Sequence, residues 1–226
     1  MTLSADFWQS LALTLRLALT VASLLMLIAI PLAQWLNTRR GRWISGLEAL
    51  LSLPIVLPPT VLGLYLLIAW SPHHAFGAWW LATFHQTLAF SFTGLVFASC
   101  LYGLPFVLQP LQAAFRGVDP ALLEASIALG AHPKHTFWHI ILPVSRHGLL
   151  SAAALGFAHT IGEFGLVLMV GGNLPGQTRV ASIALFDAAQ HLQYTEAHAF
   201  AAVLLALSFA TLLLVNLLKP RYTMPI

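Results

Sequence analysis

"LLEASIALGAHPKHTFWHIILP", residues 122–143, interrupts a chain that is apolar on both sides of it. The stretch holds one glutamate, three histidines, a lysine, a glycine and two prolines. Its local grammar predicts helix. Asp119 suits an N-cap and Pro120 the first helical position. Residues 120–129 are strong helix formers, and Gly130 fits the C-terminal cap. Pro133 opens a second short helix, and Pro143 marks a break before the next apolar run. The first helix is too short to cross a membrane. Ala125, Ser126 and Ala128 edge it with small side chains, which let another protein's surface come close.

The flanking sequence sets the solvent. Of 226 residues, 59% are hydrophobic and 8% charged, and mean hydropathy is +0.84. Soluble domains average about 25% charged residues. A chain this poor in charge would expose large apolar patches in water, so the bilayer is its expected solvent. A single cysteine, Cys100, excludes a disulfide framework within the chain. The basic residues are scattered and form no patch for nucleic acid. The start, "MTLSADFWQS", lacks the basic residues of a cleavable signal peptide.

Five segments reach the roughly 20 apolar residues that a crossing helix needs: residues 11–36, 47–70, 87–108, 148–170 and 199–218. No Asp, Glu, Lys or Arg occurs from 49 to 115, and "SPHHAFGAWW" there reads as a Ser-Pro turn with interfacial tryptophans. With five alternating spans, Arg39, Arg40, Arg42, Arg116, Lys134, Arg146, Lys219 and Arg221 share one side. Arg179 lies on the other, and Arg16 near the outer end of the first span. The positive-inside rule then puts the N-terminus outside and the C-terminus in the cytoplasm. Residues 181–189 are too short to cross and contain Asp187, so they read as a short outer helix. The fold class is an all-α integral membrane protein: five transmembrane helices, one domain over 1–226, and a cytoplasmic helical loop between spans three and four.

Glu124-Ala125-Ser126, three residues, Gly130, nine residues, Ile140, one residue and Leu142-Pro143 resemble the EAA-x3-G-x9-I-x-LP motif of bacterial ABC-importer permeases. The one departure is Ser126, where alanine is usual. In that family the loop is a coupling helix docked on a cytoplasmic ATPase. The resemblance therefore implies an ATPase-coupling role for Glu124, Ala125, Ser126, Gly130, Ile140, Leu142 and Pro143. It also implies a second permease copy, two ABC ATPase subunits, a periplasmic oxyanion-binding protein and a bacterial inner-membrane location. "SLPIVLPPTVLGLYLL" (52–67) and "GEFGLVLMVGGNLPGQTRVASIALFD" (162–187) resemble molybdate permeases, relatives of the sulfate permeases. The implied cargo is molybdate, with tungstate and sulfate as alternatives. No G-x-x-x-x-G-K-[ST] phosphate loop occurs in the chain, so on this reading ATP is hydrolysed by a partner.

Other residues are singled out by chemistry. Pro54, Pro58 and Pro59 remove amide donors from the cytoplasmic half of span two. They either line a pore or make a packing kink. Ala154, Ala158 and Gly162 recur every fourth residue, with Gly165 near the same face, and suit helix–helix packing. His159 and Glu163 lie one helical turn apart. A carboxylate in a span is a functional candidate, yet an oxyanion pore should avoid one on its wall. Glu163 is therefore expected to be structural, held by hydrogen bonds or a cation: it pairs with Arg16 at similar depth, or each faces a wet cavity, or Arg16 snorkels to the outer headgroups and His159 is the next partner for Glu163. His132, His135 and His139 are close in sequence, but Pro133 and the lack of completing Cys or acidic ligands argue against a metal. No catalytic residue, cofactor or metal is expected. Two other classes compete: an ion-coupled carrier, which needs internal repeats the chain lacks, and a membrane anchor for a cytoplasmic enzyme.

A reporter fused to the C-terminus is expected to behave as cytoplasmic, because the basic residues gather on that side; a periplasmic signal there would contradict the topology.

Overall fold

The computed structural model describes residues 5–218, which are helical with no strand. Lys219 and Arg221 lie outside that range. α1 (Ala5–Thr38) has 34 residues, about 51 Å at helical rise, longer than the hydrocarbon core of roughly 30 Å. Its buried stripe runs through Leu13, Leu17, Val21, Leu25, Ala29, Ala33 and Leu36, at helical spacing. This stripe packs on α5 (Phe92–Arg116) and α9 (Arg146–Gly162), which also pack on each other. These three helices form the centre of the fold.

By length and composition, three described helices can cross a membrane: α1, α5 and α12 (Tyr194–Leu218). Up to five crossings result if each of two bent helix pairs is one span. The first pair replaces the straight second span expected from sequence. α2 (Arg42–Val56) and α3 (Pro59–Trp70) meet at 109°. Pro58 and Pro59 offer no amides, and Leu57, placed before proline, is extended with φ −71° and ψ 135°. The expected distortion is thus a complete break.

Further boundaries differ from expectation. "SPHHAFGAWW" contains more than a turn: α4 (Ala75–Phe84) follows it. The third span begins at Phe92, because the Ser91 hydroxyl accepts from the Gly94 amide at 3.0 Å and caps the helix. It continues past 108 to Arg116. The fourth span is interrupted: α9 stops at Gly162, and α10 (Gly165–Gly171) starts again after Glu163 and Phe164. The short helix expected over 181–189 forms as α11 (Ala181–Gln190).

The small-residue packing ridge of α9 sits in a different register from the expected one. A methyl group added at Gly148 would overlap Ala114, and one at Gly156 would overlap Val107. Ala152 and Thr160 complete this buried row. The expected row does not pack as one: Ala154 faces an apolar groove toward α12, whereas Ala158, Gly162 and Gly165 line a separate cleft.

The end of the fold that carries α11 is held by polar contacts. The Ala181 amide donates to Thr14 Oγ1 at 2.7 Å, and Thr178 Oγ1 donates to the Gly171 carbonyl at 2.6 Å. Arg179, 17% exposed, bridges Asp6 at 2.8 Å and also Asp187, joining the start of α1 to α11. Arg179→Gln strands Asp6 and leaves Asp187 with Asn173 Nδ2, at 3.1 Å, and His191. We expect a loss of about 2 kcal/mol, between the values for exposed and buried pairs. Thermal unfolding of the purified chain in detergent measures it, and an unchanged midpoint would show that solvent balances the bridges.

Candidate functional site

Two regions stand out: the helical hairpin after α5 and the cleft where two helix breaks meet. The hairpin follows the sequence grammar closely. α6 (Pro120–Ala128) starts with Asp119 Oδ1 accepting from the Ala121 amide at 2.9 Å. It ends in a left-handed Gly130, φ +72°. The Ala131 amide reaches the Ser126 carbonyl at 3.0 Å and the Gly130 amide reaches Ile127 at 2.9 Å, which closes a Schellman motif. α7 (Pro133–Thr136) then begins, with His132 Nδ1 accepting from the Lys134 amide at 3.2 Å.

Ser126, the residue that departs from the family motif, is buried, and its hydroxyl meets that of Thr136 at 2.8 Å. This contact ties α6 to α7. Glu124 and Ala125 are exposed, as are the apolar side chains of Leu122, Ile127 and Leu129. The apolar surface of α6 is therefore turned away from the rest of the chain.

Pro143 does not break the helix, contrary to expectation. α7 runs through a π turn (Phe137–Ile141) into α8 (Leu142–Val144). Widening the turn relieves the clash between a proline ring and the carbonyl four residues before it. The bend falls instead at Ser145, where the helix direction changes by 73°. Ile140 and Leu142 are half-buried in this segment and Pro143 is exposed. The hairpin is braced on the end of α5: Phe137 meets the Phe115 ring edge-on at 5.8 Å, and Ser145 Oγ donates to the Ala114 carbonyl at 3.3 Å.

The cleft, about 400 Å³, forms where the α9–α10 break faces the start of α3. Pro59, Tyr102, His159, Gly162, Glu163 and Gly165 line it. A methyl at Gly165 would lie 3.3 Å from Pro59, so glycine sets the closeness of the two breaks. Pro54 is buried within α2, away from this lining. Glu163 is extended, with φ −69° and ψ 129°, and its carbonyl accepts from Ser182 Oγ at 2.7 Å. One backbone group freed by the break is thereby satisfied.

The expected ion pair between Arg16 and Glu163 is not formed. Arg16 lies over the Phe92 ring, 4.7 Å from its centroid. Glu163 is buried, and among the described residues the Ser99 hydroxyl on α5 is the one side-chain donor turned to its carboxyl group, too loosely placed for a regular hydrogen bond. His159 does not pair with it either. Its ring stacks on Phe106 at 3.9 Å and lies 5.1 Å from Tyr102, while its Nε2 stays buried without a partner. Tyr102, Phe106 and Ser99 were not legible as site residues, since nothing in the local pattern of α5 separates them from packing positions. Arg179 had a signal: it is the one basic residue of its loop, eight positions before Asp187. Among the described residues no group of three or more His, Cys, Asp or Glu could hold a metal ion.

Residues 26–224 match the model of the family described as "Binding-protein-dependent transport system inner membrane component". The molybdenum transport system permease protein ModB of Azotobacter vinelandii is 44% identical, over 94% of each chain. ModB of Escherichia coli K12 is 33% identical over 84% of this chain and 83% of its own. The sulfate permease CysT of the same organism is 34% identical over 84% and 69%. Among solved structures, an alginate importer superposes with TM-score 0.75 at 18% identity, over 97% of this chain and 81% of that one. The MetNI methionine transporter gives 0.68 at 18% identity over 96% of each. This chain belongs to the binding-protein-dependent transport system inner membrane component family, and its fold is that of an ABC-transporter permease.

The separation of Arg16 from Glu163 makes a specific prediction. Arg16→Gln, Glu163→Gln and the double variant should give additive losses of assembly, with coupling below about 0.5 kcal/mol. A double variant that assembles better than either single one would restore the ion pair. Yield of folded protein from detergent extraction reads the difference.

Proposed function

We propose that this chain is the permease subunit of an ATP-driven importer and forms the path of molybdate across the bacterial inner membrane. The near full-length likeness to molybdenum permeases carries the choice of cargo. Two helix breaks meeting at one polar cleft support the path: irregular backbone at membrane depth is tolerated where protein buries it or where it lines a cavity. Pro58, Pro59, Gly162 and Gly165 shape that cleft, and Pro54 bends the helix leading to it. Among the described residues no Lys or Arg lines it, and the Glu163 carboxyl group does, so the cleft does not hold a dianion. A periplasmic oxyanion-binding protein sets most of the selectivity.

The whole chain, 1–226, acts as one transmembrane domain with five crossings, the N-terminus outside and the C-terminus in the cytoplasm. Two copies enclose the path, and each docks one cytoplasmic ATPase subunit. In α6, Glu124 and Ala125 form the docking face, with Leu122, Ile127 and Leu129 as its exposed apolar contacts, and Ser126 holds that face in place through Thr136. Gly130 sets the turn that returns the chain to the bilayer. Ile140, Leu142 and Pro143 belong to the helix that passes motion on, through Phe137 to α5 and through Ser145 to α9. The likeness to sulfate permeases favours sulfate as the second reading of the cargo.

Uptake of labelled molybdate by vesicles carrying the full assembly tests this. Unlabelled molybdate should compete far better than sulfate, and equal competition by sulfate would move the assignment. Gly130→Val places a β-branched residue at φ +72°, a conformation costing L residues roughly 1–2 kcal/mol. It should cut uptake about tenfold while ATP hydrolysis continues. Normal coupling in this variant would count against the role of α6.

A further inference from the structure

We propose that the pocket where α1 gives way to α2 binds the phosphate group of an anionic phospholipid. The pocket measures about 400 Å³. Arg39, Arg40 and Arg116 line it with Asn37, Ser45 and Glu48.

The arginines are not equivalent. Arg116 Nη2 binds Glu48 Oε1 at 3.1 Å and its Nε donates to Asn37 Oδ1 at 2.8 Å. Gln112 Nε2 donates to the same Glu48 oxygen at 2.8 Å. The one carboxylate of the pocket is therefore engaged by Arg116 and fixed from α5. Arg39 and Arg40 are exposed and make no ion pair among the described residues. They sit on the turn that ends α1, and Gly41, φ +135°, lets the chain reverse there. Two guanidiniums are thus held at the rim of a concave polar site with no acid left to neutralise them.

The surroundings select the source of the phosphate. Trp35, one turn before Arg39, and Trp43, just beyond the turn, are both exposed. Tryptophan favours the headgroup level of a bilayer. Leu36 and Ile44 lie buried at the base of the pocket, so the exposed apolar groups beside it are the two tryptophans. A ligand with an anionic head and an apolar tail meets the arginines and the tryptophans, whereas free phosphate meets only the arginines. Basic pockets between membrane helices on the cytoplasmic side bind anionic headgroups for the same reason. The inference rests on the membrane topology and is independent of what the protein transports.

Native mass spectrometry of the assembled transporter in neutral detergent reads the site. Dioctanoyl phosphatidylglycerol, dioctanoyl phosphatidylcholine and inorganic phosphate are offered at equal concentration. Phosphatidylglycerol should be retained, phosphatidylcholine should not, and phosphate should fail to displace the bound lipid. A basic residue near an anionic membrane surface is worth roughly fivefold in affinity, so Arg39→Gln with Arg40→Gln should weaken phosphatidylglycerol about 30-fold. Arg146→Gln, outside the pocket, should leave it unchanged. Arg39→Lys with Arg40→Lys keeps the charge and should keep most of the binding, which separates loss of the site from loss of the fold. Retention of phosphatidylcholine equal to phosphatidylglycerol, displacement by phosphate, or wild-type binding by the glutamine pair would overturn the proposal.

Discussion

A backbone amide or carbonyl inside a bilayer must find its partner within the protein. The structure is organised around two places where helices fail to meet that demand alone. At Leu57–Pro59 prolines remove the donors, and at Glu163–Phe164 the chain simply leaves helical geometry. The two breaks lie against each other, with Gly165 beside Pro59. Part of the cost is met by the Ser182 hydroxyl on the Glu163 carbonyl. The segment before α11 supports this arrangement, because α11 is seated on Thr14 and clamped by Arg179.

The hairpin after α5 uses a different economy. It stands outside the central helices, so local capping stabilises it: Asp119 at the start, the Schellman turn at Gly130, His132 at the next helix. These contacts make a small rigid body and leave the apolar side of α6 exposed. The π turn lets Pro143 sit in a continuing helix, and Ser145 takes the bend. An aromatic edge contact joins the hairpin to α5, and a sharp bend joins it to α9.

Charge is distributed in keeping with the solvent. Ionisable side chains near the ends are paired or exposed: Arg179 with two aspartates, Arg116 with Glu48, Arg39 and Arg40 at a polar pocket. Glu163 is the exception, buried beside a cleft with no cation at hand. Burying a carboxyl group there costs stability, and the Ser99 hydroxyl is the one side-chain donor turned to it among the described residues.

The sequence alone determined what depends on neighbours a few residues away. It carried the membrane class through composition, the α6 hairpin through Asp119, Pro120 and Gly130, and the short outer helix through its length. Motif spacing gave the family resemblance. It misplaced what depends on partners distant in the chain. Helix 148–170 reads as continuous, because nothing local in Gly162-Glu163-Phe164 forces a stop; the break is supported by Ser182 and packed against Pro59 from elsewhere. The packing row of α9 is 148, 152, 156 and 160 rather than 154, 158 and 162, since both rows are small and only the position of α5 chooses between them. Arg16 and Glu163 share a depth in the sequence reading but not a contact, because depth fixes one coordinate and the rotation of each helix fixes the other. Tertiary packing sets that rotation, through side-chain shape summed over whole helix faces.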